Sequence, residues 1–468
     1  MEGALPRSVN YSDTLPLAVA STQNRRSYYP VNGQSFTDTG SNQIRIDVNA
    51  DGLLDCQQSY LEFTLNNNQA NNALRTIDQG HVWIKRLTIE SAGVILEDIN
   101  NYNRLVCGIL QPAQGSAAYT GEMQLSMRSG AQQDLLLPGG AVAFGEPYFT
   151  NGLSALTDGA GNPTAAQNQK NGTGALGAAE SFTGQYHLAC GMLNLDKYLP
   201  LVLMGQGFTI AIELATGVEL GCSAANGTGY EISNVRYVAH IVDMQRDFYD
   251  MLRNLQVASG GSLMIGGSTF RHFTHTMTPG AGTENINVSA RVRSLENIFF
   301  VGNETANFAN PAIYKLSTGS TLGMDGAGAS WNLFIGSVRY PTNKIEVNST
   351  ANKGQAYQEL RKCFGALGSI NHGGLLNSCT YLSNTNGQAV NGTTAGTFGQ
   401  NPTYGCFGIS LKSWRHELED GIDTSSRALP CRLEITGSAA GAVSTVDIYA
   451  QATILFYINL DGSVSASV

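Results

Sequence analysis

The most constraining stretch of this 468-residue chain lies close to its C-terminus. Val446, Ile448, Ala450, Ala452, Ile454, Phe456 and Ile458 alternate with Asp447, Tyr449, Gln451, Thr453, Leu455, Tyr457 and Asn459. Successive side chains of a strand point to opposite faces, so this pattern predicts one long strand with an entirely apolar face. Such a face needs neighbouring strands and a second layer above it. Shorter runs repeat the signal at Ile44–Val48, Leu61–Leu65 and Phe208–Leu214. In the last of these, Phe208, Ile210, Ile212 and Leu214 share one face.

The rest of the chain repeats an order. Residues 1–40 carry Pro6, Pro16 and Pro30 and no apolar period, and predict an extended arm. Strand patterns follow at 44–48, 61–65 and 82–89. A helical spacing of Ile99, Tyr102, Val106 and Ile109 comes next. A long segment rich in Gly, Ala, Asn and Thr runs over 111–181, with a short strand pattern at Glu122–Met127. Strands are expected again at His187–Leu193, Phe208–Leu214 and Ile232–Val242. Met244, Phe248, Met251 and Leu255 then mark an amphipathic helix, with Asp243 as its N-cap. After Gly260-Gly261 and Gly266-Gly267 the order returns. Strands are expected at Phe270–Met277, Ile286–Val292, Ile298–Val301 and Trp331–Val338. A helix over Tyr357–Leu367 ends at Gly368, and a polar loop fills 383–402. The closing strands are Cys406–Leu411, Cys431–Ile435 and Val446–Asn459. The residues differ but the order repeats, which predicts a duplicated fold. The expectation is all-β: two consecutive eight-stranded antiparallel jelly rolls with a few short helices. The divisions are an arm at 1–40, a first roll at 41–243, a linking helix and Gly-rich linker at 244–267, and a second roll at 268–468. Each roll is expected to bury its own core, with Ile210 and Leu433 in matching places.

Charged residues are 13 %, about half the usual share, while Gly occurs 54 times and Asn 38 times. That composition suits β-sheet with long turns and excludes a long coiled coil or a wholly disordered chain. With 27 basic and 36 acidic residues the net charge is −9, which argues against broad nucleic-acid binding. No run of apolar residues is long enough to span a bilayer as a helix, and the start lacks the order of a signal peptide. Eight scattered cysteines form no C-x-x-C, so they read as reduced, buried thiols of a chain made inside a cell.

No motif carries chemistry. Gly172-Thr-Gly-Ala-Leu-Gly177 has the dinucleotide spacing but no strand before it, and reads as loop. Asp47, Asn49, Asp51 and Asp55 follow the first half of a calcium loop, yet Gln58 stands where the bidentate Glu belongs. An Asp-Gly hairpin turn is the expectation there, and whether Asp47, Asn49 and Asp51 bind a weak calcium ion is left open. His272 and His275 lie in a strand pattern, which sends them to opposite faces. His416-Glu-Leu-Glu-Asp420 lacks the second His of a zinc helix. Seven N-x-S/T sequons match the number expected by chance. The chain is therefore expected to be no enzyme, with no cofactor, metal or catalytic residue.

A helix-joined pair of sandwiches with an arm and Gly/Asn-rich insertions resembles the double jelly-roll major capsid proteins, the lineage of adenovirus hexon, tectivirus capsids and many large DNA viruses. The segments Ser27–Phe36, Ser59–Leu65, Ile95–Leu105 and Val235–Met244 most resemble Polinton-like virus and virophage capsids. The resemblance implies a structural protein of a double-stranded DNA virus, located in the virion. It implies homotrimers that act as pseudo-hexameric capsomers and tile an icosahedral shell. The implied partners are neighbouring capsomers, penton and minor capsid proteins, with no sequence-specific nucleic acid. The alternative is a carbohydrate-binding or adhesive β-sandwich surface protein. A sandwich-fold glycoside hydrolase would need two carboxylates about 5–9 Å apart in a cleft, and Glu62, Glu213 and Glu434 are the strand-borne candidates.

Overall fold

The computed structural model describes residues 21–68, 74–75, 80–110, 113, 175–176, 181–220, 229–278, 282–304, 328–347, 353–364, 381, 405–414, 420–427, 429–438 and 444–468. The first half holds β1 (Ser21–Tyr28), β2 (Ser35–Phe36), β3 (Gln43–Val48), β4 (Leu53–Asn67), β5 (Leu74–Arg75), β6 (Ile84–Ser91), β7 (Val94–Asn100), α1 (Tyr102–Leu105), β8 (Ala175–Leu176), β9 (Ser181–Tyr186), β10 (Leu199–Pro200), β11 (Phe208–Leu214) and β12 (Tyr230–Met244). The linking helix is α2 (Arg246–Ala258). The second half holds β13 (Ser262–Met277), β14 (Gly282–Val288), β15 (Leu295–Glu304), β16 (Ser330–Ile335), β17 (Val338–Glu346), α3 (Gly354–Cys363), β18 (Cys406–Ser410), β19 (Cys431–Ser438), β20 (Ser444–Asn459) and β21 (Val464–Ser467).

These strands form two sandwiches with one wiring. In the first, an inner sheet of order β1-β12-β4-β10, with β9 also on β4, faces an outer sheet of order β3-β11-β6-β7. In the second, β13-β20-β15-β18 faces β14-β19-β16-β17. The strand orders correspond place for place, and a helix follows the last outer strand in each half. This is the double jelly roll, and every pairing between these strands is antiparallel. The alternation explains it. Ile210 and Ile212 on β11, and Leu433 and Ile435 on β19, are at most 1 % exposed, each set between its two sheets. One tryptophan anchors each interior: Trp83 lies 5.1 Å from Phe63, and Trp331 lies 5.0 Å from Phe300.

The structure corrects several expectations. His187–Leu193 is no strand. Leu188, Cys190, Met192 and Leu193 are buried, but the backbone turns into a 3-10 helix at Met192–Asn194. A short apolar run reports burial, not conformation. Ser21–Tyr28 of the expected arm is an edge strand on β12. Its side chains are almost all exposed, so it left no apolar period to read. The cap of α2 is Gln245 rather than Asp243; Asp243 instead accepts a hydrogen bond from Asn24 and pairs with Arg26. Met251 and Leu255 of the α2 stripe are 58 % and 52 % exposed. The second half's strands begin at Ser262, ahead of residue 268. The expected strand Trp331–Val338 is a hairpin folded at Gly336. The buried apolar residues form one continuous cluster through both sandwiches rather than two cores, because the seam between them is itself buried. The duplicated strand order is unaffected. The strand pattern at Glu122–Met127, the loops 151–180 and 383–402, Gly368, Cys222 and Cys379 lie outside the described residues.

Candidate functional site

Two features set what this fold can do: a seam between the sandwiches and a difference between their ends. At the seam, the chain leaving β7 passes Asn101, whose φ of 49° is left-handed, into α1 and a π-helical turn at Val106–Leu110. This corner sits on the inner sheet of the second sandwich. Asn101 Nδ2 donates to Asp447 Oδ1 at 3.1 Å, and His272 Nε2 lies 2.8 Å from the same oxygen. The Tyr449 hydroxyl donates to Asn101 O at 2.8 Å. Arg104 is 2 % exposed, and its guanidinium donates to Gly302 O at 2.6 Å. Burial opposes ionisation of Asp447. The His272 contact and the Arg104 charge outweigh it and hold the carboxyl below the usual range. Burial lowers the Arg104 value in turn.

A second buried carboxylate fastens the seam nearby. Glu97 on β7 is 3 % exposed and accepts the Gly191 and Met192 N–H groups at 2.8 and 2.6 Å. Burial pushes its pKa up, against hydrogen bonds from Thr269 and those two amides. The chain at Gly191 runs so close to β13 that a Cβ there would lie 2.8 Å from Glu97 Oε1 and 2.9 Å from Ser268 O. Glu296, 1 % exposed, accepts from Ser268 and Thr453 and pairs with Lys412 at 2.7 Å.

The two inner sheets differ. That of the second sandwich is covered by the seam corner and by α3, whose neighbour Phe364 stacks 5.4 Å from Phe299. The matching face of the first sandwich is open. It carries a groove of about 590 Å³ lined by Tyr29, Gln34, Glu62, Thr183, Asn234 and Arg236. Within it Glu62 pairs with Arg236 at 2.5 Å and accepts from Gln185 at 2.7 Å.

The ends differ as well. Strand register puts Asn67, Asn100, Ser181 and Tyr230 at one end of the first sandwich, and Met277, Glu304, Glu346 and Ser444 at the same end of the second. The long connections 68–83, 101–180, 305–329 and 347–405 all leave and return there. The opposite end has short turns at 49–52, 92–93, 336–337 and 460–463 together with the longer connections 187–207 and 411–430, and α2 bridges the two sandwiches at that end.

The residues singled out in the sequence are not gathered. Asp47 accepts the Thr209 hydroxyl at 2.7 Å, and Asp55 accepts the Gln57 and Gln58 amides. Among the described residues no group of three or more His, Cys, Asp or Glu could hold a metal. His272 faces the seam while His275 lies 3.7 Å from Glu284. Glu62, Glu213 and Glu434 stand on three different sheets. Of Gly172–Gly177 only Ala175–Leu176 is described, paired with Leu74–Arg75; residues 415–419 lie outside the described residues. Cys56, Cys107, Cys190, Cys363, Cys406 and Cys431 are free thiols. The sequence reading missed Arg104, Glu97 and Asp447 as seam residues. A usable signal was present: Tyr449, Leu455 and Tyr457 share the face of Asp447, too apolar a set for an open surface.

No family model matches the sequence, and no curated protein does. Solved structures match over nearly the whole length. The chain is similar to Vp54 of PBCV-1, as fitted into a reconstruction of the virophage Sputnik, with a TM-score of 0.57 and 9 % identity over 98 % of this chain and 99 % of that one. The PBCV-1 capsid model gives 0.55 and 10 % identity over the same shares. The Faustovirus major capsid protein gives 0.53 and 10 % identity over 95 % and 91 %. At such identity the likeness is one of fold.

Proposed function

We propose that this chain is a structural major capsid protein of an icosahedral virus. The observation that carries this reading is the whole-length match, both sandwiches included, to capsid proteins of PBCV-1 and Faustovirus. The ends support it: upright strands with the three longest connections at one end and the short turns at the other suit a shell tile with an outer and an inner surface. No enzymatic activity is proposed.

The finer reading is a homotrimer acting as a pseudo-hexameric capsomer. Residues 41–243 and 268–468 supply the bulk of its two rolls; Ser21–Tyr28 of the arm 1–40 adds an edge strand to the first, and of 244–267 the helix Arg246–Ala258 is the link while Ser262 onward already belongs to the second. The seam supports this. Within one chain, the flank of the first sandwich covers the inner sheet of the second. The same operation repeated would place the second sandwich's flank on the open inner sheet of the next copy, and three chains close the ring. Neighbouring capsomers, penton and minor capsid proteins are the proposed partners, the virion the proposed location, and no sequence-specific nucleic acid is involved. Among the described residues no helix is long and apolar enough to cross a membrane. Sedimentation of the purified chain tests the reading: a trimer is expected, and a stable monomer at micromolar concentration would overturn it.

A further inference from the structure

We infer that the outer sheet of the second sandwich grips a neighbouring capsomer, through an arginine–phenylalanine row that meets the acidic outer sheet of the first sandwich on another copy. This rests on the capsid reading above. The row crosses the exposed face of β14-β19-β16-β17 in register: Asn287, Arg432, Phe334, Arg339. The Arg432 and Arg339 guanidinium carbons lie 4.5 and 5.2 Å from the Phe334 ring centroid. Two cations from the neighbouring strands thus flank one half-buried aromatic ring. Arg291, Arg427 and Leu429 line a small cleft at the end of the same sheet. Among the described residues none of these four arginines has an ion-pair partner. Counting Lys344, this flank has five cations against Glu346 and Glu434, a balance of +3. Arginine and aromatic side chains are enriched at protein interfaces.

The matching sheet of the first sandwich has the opposite sign. Its exposed face carries Asp47, Glu90, Asp98 and Glu213 against Arg45 and Arg86, a balance of −2. Both arginines are already paired there, Arg45 with Glu90 at 2.8 Å and Arg86 with Asp98 at 2.7 Å. Asp47 and Glu213 are left without a cation partner among the described residues. Neither outer sheet is covered by the other sandwich. In a chain of net charge −9 a patch of +3 stands out, and the surface that complements it occupies the equivalent place in the duplicated fold. Around a ring of three chains the two signs alternate, so capsomers meet basic face to acidic face.

The test uses full-length capsomers, with association followed by sedimentation and electron microscopy between about 0.05 and about 0.5 M salt, a range across which screening changes strongly. Wild-type capsomers are expected to associate at low salt and separate at high salt. Arg339→Glu with Arg432→Glu should keep the capsomer and its melting temperature and abolish the low-salt association. Arg339→Lys with Arg432→Lys, which keeps the charge, should retain it. Adding Asp47→Arg and Glu213→Arg to the reversed variant should restore it. Association of the reversed variant at wild-type salt and concentration overturns the inference, as do wild-type capsomers without salt-sensitive association. Failure of the swap to restore association, or restoration only by added DNA or an acidic peptide, shows that another partner fills the surface. A monomeric wild type would instead sink the capsid reading itself.

Discussion

Replacing Asp447 by Asn tests the seam with almost no change of shape. The wild-type carboxylate is 7 % exposed, accepts from Asn101 and contacts His272, and lies in the field of the buried Arg104. Hydrogen bonds to a charged group contribute about 1.5–3 kcal/mol each and neutral ones about 1, so neutralising the acceptor loses about 2 kcal/mol. The Arg104 cation also keeps its burial cost and loses the favourable field of the Asp447 carboxylate. Removing one member of a buried charge pair costs about 3–5 kcal/mol in all. For a sandwich of roughly 200 residues, at about 2–4 °C per kcal/mol, melting should fall by roughly 6–20 °C. Arg104→Met should cost a similar amount. The double variant Arg104→Met with Asp447→Asn should be less damaged than the sum, by more than about 1 kcal/mol. The sign with pH is also fixed. The folded Asp447 value is depressed, so its contribution is complete above about pH 4 and fades as pH falls through the folded value. Differential scanning calorimetry from neutral to acid pH reads all three quantities. A loss under about 1 kcal/mol, strict additivity, or a wild-type advantage that grows toward acid pH would refute the reasoning.

Other expectations follow from single residues. Ile210→Ala and Leu433→Ala, both fully buried in matching places, should each cost about 2–5 kcal/mol in denaturant unfolding; a near-neutral result at either site would break the equivalence of the two sandwiches. Gly191→Ala puts a Cβ 2.9 Å from the Ser268 backbone oxygen and should cost about 1–3 kcal/mol, read as faster hydrogen exchange on both sides of the seam. Burial pushes the Cys56, Cys406 and Cys431 thiols up to about 12 and those of Cys190 and Cys363 well above their usual value. In a Cys222→Ser, Cys379→Ser variant, thiol titration near pH 8 should find almost no reactive group until denaturant exposes the six, and reductant should leave melting unchanged.

The strands were legible where one face is uniformly apolar. β3, β11 and β20 each bury every second residue, and that alternation is written in side-chain polarity. β1 was not legible, since its ladder to β12 is made by backbone groups and its side chains face water. The α2 stripe was visible, but amphipathicity says only what a helix can bury; Met251 and Leu255 remain exposed on one chain. The seam was hidden for a related reason. Asp447, Arg104 and Glu97 are polar residues whose burial depends on the other sandwich arriving over them, and only Asp447 leaves a trace in its own strand, the apolar Tyr449, Leu455 and Tyr457 on its face. The outer-sheet charges were countable in the sequence, but their segregation by sandwich depends on the register that puts Arg432 beside Phe334 and Arg339.

Cryo-electron microscopy of the purified, assembled protein tests the central claim most directly. The account predicts a block of three chains with six upright sandwiches in a pseudo-hexagonal outline, the long connections together on one surface, and blocks packed into a closed shell. Isolated single chains, or an assembly in which the open inner sheet of the first sandwich faces solvent, would contradict it.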